Sequence, residues 1–104
     1  MKVYIENQVV ETLWDFYLKS LAIHPALDYP TIINKIDRLE NALLDFATYA
    51  EVLHHEPYIL GWKDKGYLDF ICEDFHFAYR IYHLPNGEKV LRFHDVVHSL
   101  LNHN

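Results

Sequence analysis

The sequence predicts an α+β fold in which an N-terminal strand is followed by an antiparallel helical hairpin packed on one face of an antiparallel sheet of about four strands. Three observations carry this. Phe75, Phe77, Tyr79 and Ile81 alternate with His76, Ala78, Arg80 and Tyr82, the period of two of a strand half-buried on a pleated surface. Pro85-Asn86-Gly87 follows, and Asn-Gly supplies the positive φ angles of a tight primed turn, so residues 89–94 return antiparallel. The N-terminal half instead spaces its apolar residues three and four apart.

In chain order, residues 2–6 alternate Val3 and Ile5 against Lys2, Tyr4 and Glu6, a short strand. Asn7 is the expected N-cap of a helix whose stripe is Val9, Val10, Leu13, Trp14, Tyr17, Leu18 and Leu21. His24-Pro25 ends that stripe, and a second helix opens at Pro30-Thr31, with proline tolerated at the start and threonine able to cap. Its stripe is Ile32, Ile36, Leu39, Leu43, Phe46, Ala50 and Leu53, while Asn34, Lys35, Asp37, Arg38, Glu40, Asn41 and Asp45 mostly fall outside it. Both stripes are explained as core, and no cofactor is expected. Residues 68–71 read as the next strand and Glu73-Asp74 as a solvated corner.

The 104 residues, 51% of them hydrophobic, are expected to form one domain, residues 1–104. Glycine (3) and proline (4) are scarce, so no linker divides the chain, and no run approaches the ~20 apolar residues of a membrane span. The N-terminus lacks the apolar core and cleavage site of a signal peptide, and the single Cys72 has no internal partner for a disulfide. A cytoplasmic location is the expectation. Fifteen acidic against nine basic side chains give a net charge of −6, which argues against a phosphate-binding surface built on charge alone. The eight histidines, at 24, 54, 55, 76, 83, 94, 98 and 103, are scattered and read mostly as surface residues.

Asp74-Phe75-His76-Phe77-Ala78-Tyr79-Arg80-Ile81 resembles a strand of the RelE/ParE superfamily of toxins from bacterial type II toxin–antitoxin systems, and Val90-Leu91-Arg92-Phe93-His94 is similar to that family's last strand, which often ends in histidine. Length, helical hairpin and spacing extend the resemblance over nearly the whole chain. It implies a growth-inhibiting toxin that acts in one of two ways: ribosome-dependent mRNA cleavage, as in RelE- and YoeB-like members, or poisoning of a protein such as DNA gyrase, as in ParE-like members. It also implies a cognate antitoxin as partner. A toxin-fold protein without catalysis, acting as a protein-binding module, is the alternative reading. In a third, an exposed aromatic sheet face with Tyr67, Tyr79 and Tyr82 binds a peptide or a second copy as a homodimer.

In the ribonuclease branch, an acid–base pair and a cation serve attack of the ribose 2′-hydroxyl. The resemblance assigns His94 to that site, because Arg92-Phe93-His94 looks like the Arg-Tyr-His ending of YoeB-like toxins; a histidine closing the strand by a backbone hydrogen bond is the competing reading. Lys63 and Lys65 stand where RelE-like toxins place phosphate-handling lysines, and also read as ordinary turn composition. The family's catalytic arginine has no counterpart in Leu68-Asp69-Phe70-Ile71. Arg80 and Arg92, which alternation points away from the apolar face, are the residues able to replace it, or else they pair with surface acids. His94 and His98 would share a face if Asp95 capped a short terminal helix, but they lack the glutamate of a helical zinc motif, and no metal is expected. Cys72, in an apolar strand, is expected to be an inert thiol.

Overall fold

The computed structural model describes residues 1–24, 26–53, 55–57, 59 and 61–99. Its element order is β1 (Lys2–Ile5), α1 (Asn7–Leu21), α2 (Tyr29–Phe46), β2 (Leu68–Cys72), β3 (Phe75–His83) and β4 (Lys89–His98). The four strands form one sheet in the order β1-β4-β3-β2, and both helices contribute to the core on one of its faces. The fold is α+β as expected, but the sheet is mixed rather than antiparallel: β2–β3 and β3–β4 are antiparallel, whereas β1 runs parallel to β4 with Tyr4 opposite Arg92 and Ile5 opposite Phe93. The first strand thus pairs with the last, which no local pattern encodes.

α1 buries Val9, Leu13 and Tyr17 from the expected stripe and leaves Leu18 exposed. Its N-cap is Glu6 rather than Asn7, and the Glu6 side chain makes no capping hydrogen bond. Residue 25, at the expected break, lies outside the described residues. α2 begins at Tyr29, with Pro30 in its first turn, and the cap is Asp28, whose Oδ1 accepts from the Thr31 N–H at 2.9 Å. Hydrogen bonding from Thr31, its side chain first and this N–H second, holds the Asp28 carboxyl below its ordinary pKa. The helix ends at Phe46; Ala50 is buried in the turns that follow, while Leu53 is exposed.

Strand alternation holds on β3. Phe75, Phe77 and Tyr79 are buried against Ile32, Ile36, Leu39, Leu43 and Phe46 of α2, Val9 and Leu13 of α1, and Leu91, Phe93 and Val96 of β4. Fully burying each such side chain is worth about 1.5–3 kcal/mol, so this layer dominates the stability of the fold. The hairpin after β3 is not a primed turn. Leu84 accepts from the Gly87 N–H at 3.0 Å and donates to the Glu88 carbonyl at 2.8 Å, and only Gly87 in the loop has positive φ, at 89°. This is a three-residue loop, a type I turn closed by glycine in the left-handed region. The Glu73-Asp74 corner is exposed as expected, with Glu73 at φ 54° and bound to Arg38 at 2.8 Å.

β4 continues to His98, so Asp95 caps no terminal helix. Within it Tyr79 pairs with Phe93 and Ala78 with Asp95, leaving His94 without an opposite residue: a β-bulge. The extra residue shifts the face alternation, so the inward positions run Leu91, Phe93 and Val96, with a gap of three where the bulge sits.

Candidate functional site

The sheet face opposite the helices carries Tyr4 from β1, Arg92 from β4, and Arg80 and Tyr82 from β3, with His94 projecting from the bulge. Part of this face is covered by the chain between α2 and β2. Trp62, 3% exposed, donates from its indole Nε1 to Asp95 Oδ2 at 3.3 Å, and the Asp69 N–H donates to the His55 carbonyl at 3.2 Å. Tyr79 fastens the same segment from the other side, donating to the Leu53 carbonyl at 3.1 Å. The uncovered remainder is where the polar groups converge.

His94 is the centre of that group. Its Nδ1 lies 3.0 Å from Glu6 Oε1, its Nε2 lies 2.9 Å from the Tyr82 hydroxyl, and its ring stacks on Tyr67 with centroids 4.7 Å apart and planes at 11°. A carboxylate offers only acceptors, so Nδ1 carries the proton and donates to Glu6, and neutral Nε2 accepts from Tyr82. Burial pushes the His94 pKa below its ordinary value; Glu6 pulls the other way, while Arg92 and Arg80 push it down further. At neutral pH the imidazole is therefore a free base with an oriented lone pair. Gln8, in the first turn of α1, donates to the His94 carbonyl and, at 3.0 Å, to Glu6 Oε2, tying helix, bulge and carboxylate together.

Glu6 is the residue that sequence reasoning missed. It sits at the junction of β1 and α1, where the parallel β1–β4 pairing brings residues 6, 92 and 94 into contact. Its Oε1 also accepts from Arg92 Nε at 2.9 Å. The available signal was an acid at a helix N-cap, a position that favours Ser, Thr, Asp or Asn. Here the carboxylate is turned to the sheet instead of the helix end.

The other expected residues fall as follows. Arg92, 43% exposed, lies with its guanidinium carbon 4.8 Å over the Tyr4 ring. Arg80 is exposed, 5.3 Å over the Tyr82 ring, and rests against Gly66, where an added Cβ would meet its Nη1 at 3.6 Å. Both arginines therefore border the His94 group, with Arg92 partly committed to Glu6. Lys65 stands 6.0 Å over the Tyr67 ring, at the edge of the same group, and Lys63 is exposed on the turn that holds it. Gly66, at φ +76°, closes that turn in a conformation that costs a residue with a Cβ about 1–2 kcal/mol.

Two sequence expectations are overturned by the geometry. His94 and His98 do not share a face: His98 lies on the helix side, stacked on Phe16 at 4.5 Å and edge-on to Phe75. Among the described residues no three His, Cys, Asp or Glu side chains gather as metal ligands. Tyr79 is not part of an exposed aromatic face; it is 0% exposed, packed on Phe46 and Phe93, and burial pushes its pKa up to about 12. Of the histidines read as surface residues, 24, 55 and 83 are exposed, 76, 94 and 98 are partly buried, and 54 and 103 lie outside the described residues. Burial raises the Cys72 thiol pKa, as expected of an apolar strand position.

A second polar pair lies under the covering segment. Asp69, 0% exposed, holds His76 Nδ1 at 2.8 Å through Oδ2, while its Oδ1 is buried without a hydrogen-bond partner among the described residues. No family model, curated protein or solved structure matches the chain. Among the described residues no helix is long and apolar enough to cross a membrane.

Proposed function

We propose that this chain is a toxin of the RelE/ParE type that cleaves messenger RNA by transfer of the phosphodiester to the adjacent ribose 2′-hydroxyl. One observation carries the reading: the Glu6–His94–Tyr82 hydrogen-bonded chain on an open sheet face, bordered by two guanidinium groups. Ribonuclease chemistry of this kind needs a base for the 2′-hydroxyl, positive charge for the phosphorane and an acid for the departing 5′-oxygen. His94 Nε2 takes the 2′ proton when that hydroxyl displaces Tyr82 as its hydrogen-bond donor, and Glu6 stabilises the resulting imidazolium. Arg80, with Arg92 beside it, faces the two non-bridging oxygens. The imidazolium or the Tyr82 hydroxyl returns a proton to the leaving oxygen. Arg80, on the strand next to the arginine-free β2, fills the role of the cation the family places there.

The net charge of −6 gives little affinity for free RNA, which fits a message presented by the ribosome. The same acidity favours a second reading, a toxin-fold module bound to a protein target such as gyrase. Inducible expression in a bacterial host, with growth followed beside primer-extension mapping of messages, separates them. Codon-phased cuts, at least tenfold fewer in a folded His94→Gln variant, are the expected result. Growth arrest without cuts would move the assignment to a protein target, and undiminished cutting by the variant would remove His94 from the chemistry.

A further inference from the structure

Beside His94, on the side away from the covering segment, the open face has a cleft of about 310 Å³ lined by Tyr4, Tyr82, Leu84, Val90 and Arg92. The register builds it: Tyr4 lies opposite Arg92 and Tyr82 opposite Val90, so two phenol rings and two aliphatic side chains surround a space at the hairpin end of the sheet. Tyr4 is 55% exposed and Leu84 39%, so both are accessible from solvent at the rim of the cleft. Tyr82 belongs to both places, since its ring lines the cleft and its hydroxyl binds His94 Nε2.

We propose that this cleft is a subsite for one unpaired nucleobase of the RNA strand, held against the tyrosine rings one step from the phosphodiester at His94. The proposal rests on the ribonuclease reading and adds the ligand of a place that reading leaves unused. Charge selects the occupant. The guanidinium carbons of Arg92 and Arg80 stand 4.8 and 5.3 Å over Tyr4 and Tyr82, so each aromatic wall carries a cation, an arrangement suited to a flat base with phosphates on either side. Arg92 is already bound in part by Glu6, whereas an aliphatic peptide anchor would use the rings and leave the Arg80 guanidinium at the edge of the cleft unanswered. Stacking of one base on an aromatic side chain is worth about 1–3 kcal/mol and tolerates any base, so the subsite places the strand without dictating its sequence.

The test is an amide chemical-shift titration of the whole folded chain, at low ionic strength, with an uncleavable 2′-O-methyl RNA tetranucleotide and its four single-abasic versions. Shifts are expected at Tyr4, Leu84 and Val90, with one abasic position binding about tenfold more weakly, and Tyr4→Ala is expected to abolish that position's effect. Leu84→Asp, on the hairpin and away from the β1 pairing, gives the same loss if Tyr4→Ala disturbs the sheet edge. Equal binding of all abasic forms, or shifts confined to Arg80 and His94, would overturn the subsite and leave the ribonuclease reading intact. Absence of binding to the folded protein would also overturn it, and the message mapping then decides the ribonuclease reading by itself.

Discussion

Tyr79 links the buried layer to the segment covering the open face, and its ionisation gives a stability prediction with a definite sign. The hydroxyl is 0% exposed, donates to the Leu53 carbonyl at 3.1 Å, and has its pKa raised from 10.0 to about 12 by burial and, secondarily, by Asp69. A folded-state pKa above the unfolded one contributes stability that is fully present below about pH 10 and is lost as pH rises through about 12. The full loss is about 2–3 kcal/mol for a two-unit shift, and at about pH 11 the unfolded chain has gained roughly tenfold in ionisation over the folded one, a loss of about 1.4 kcal/mol. Tyr79→Phe removes the group and, with it, one hydrogen bond, costing about 1 kcal/mol near neutrality. Urea unfolding followed by circular dichroism from about pH 8 to about pH 11 measures both proteins under the same titration of lysines and other tyrosines. The stability difference between the two proteins is expected to change by about 1.4 kcal/mol over that interval, so that the curves meet and cross near its upper end. Parallel curves would refute the placement of the Tyr79 hydroxyl in a dry, hydrogen-bonded site.

Four further outcomes follow from the same geometry. Glu6→Gln removes the charge that holds the His94 pKa up, so under the proposed ribonuclease reading the acid limb of the pH–rate profile is expected to move to lower pH, while kcat falls about tenfold or more as the imidazole loses its orientation. The corresponding stability term also has a fixed sign: His94 resists a proton that the unfolded imidazole accepts near its ordinary pKa, so stability falls as pH drops below about 6.5, and more steeply in Glu6→Gln. Trp62→Phe breaks the indole bond to Asp95 and is expected to cost about 1–2 kcal/mol in urea unfolding, with faster amide exchange in the covering segment around residues 61–66. Leu39→Ala, at a fully buried position of α2, is expected to cost about 2–5 kcal/mol in the same measurement, with no specific change at His94.

The helices and β3 were legible because their burial patterns are local: Val9, Leu13, Ile32, Ile36, Leu39 and Leu43 repeat at helical spacing, and Phe75, Phe77 and Tyr79 at strand spacing. Arg80 and Arg92 were placed on the outer side of the sheet by the same alternation, whereas His94 was singled out only by the resemblance of its strand ending. The parallel pairing of β1 with β4 was not legible, since it joins residues 86 to 88 positions apart, and Glu6 entered the site only through it. The end of β4 was misread for a related reason. The loss of alternation after Phe93 looks like the end of a strand, whereas it is one surplus residue in a strand that continues. Tyr79 was counted among exposed aromatics although its own alternation with Phe77 placed it inside.

If His94 is the sheet's one supernumerary residue, chemistry and architecture are uncoupled at that position. Excising the residue, instead of replacing it, would leave Arg92, Asp95 and Val97 on one side and Phe93, Val96 and His98 on the other, an uninterrupted ladder with every inward side chain retained. The deletion is thus the rare lesion that a buried central strand accepts, and it would remove the imidazole without opening a cavity. A lineage carrying this fold can therefore lose or regain an imidazole at this place by a single-codon deletion or insertion, with no search through core-compatible sequences in between.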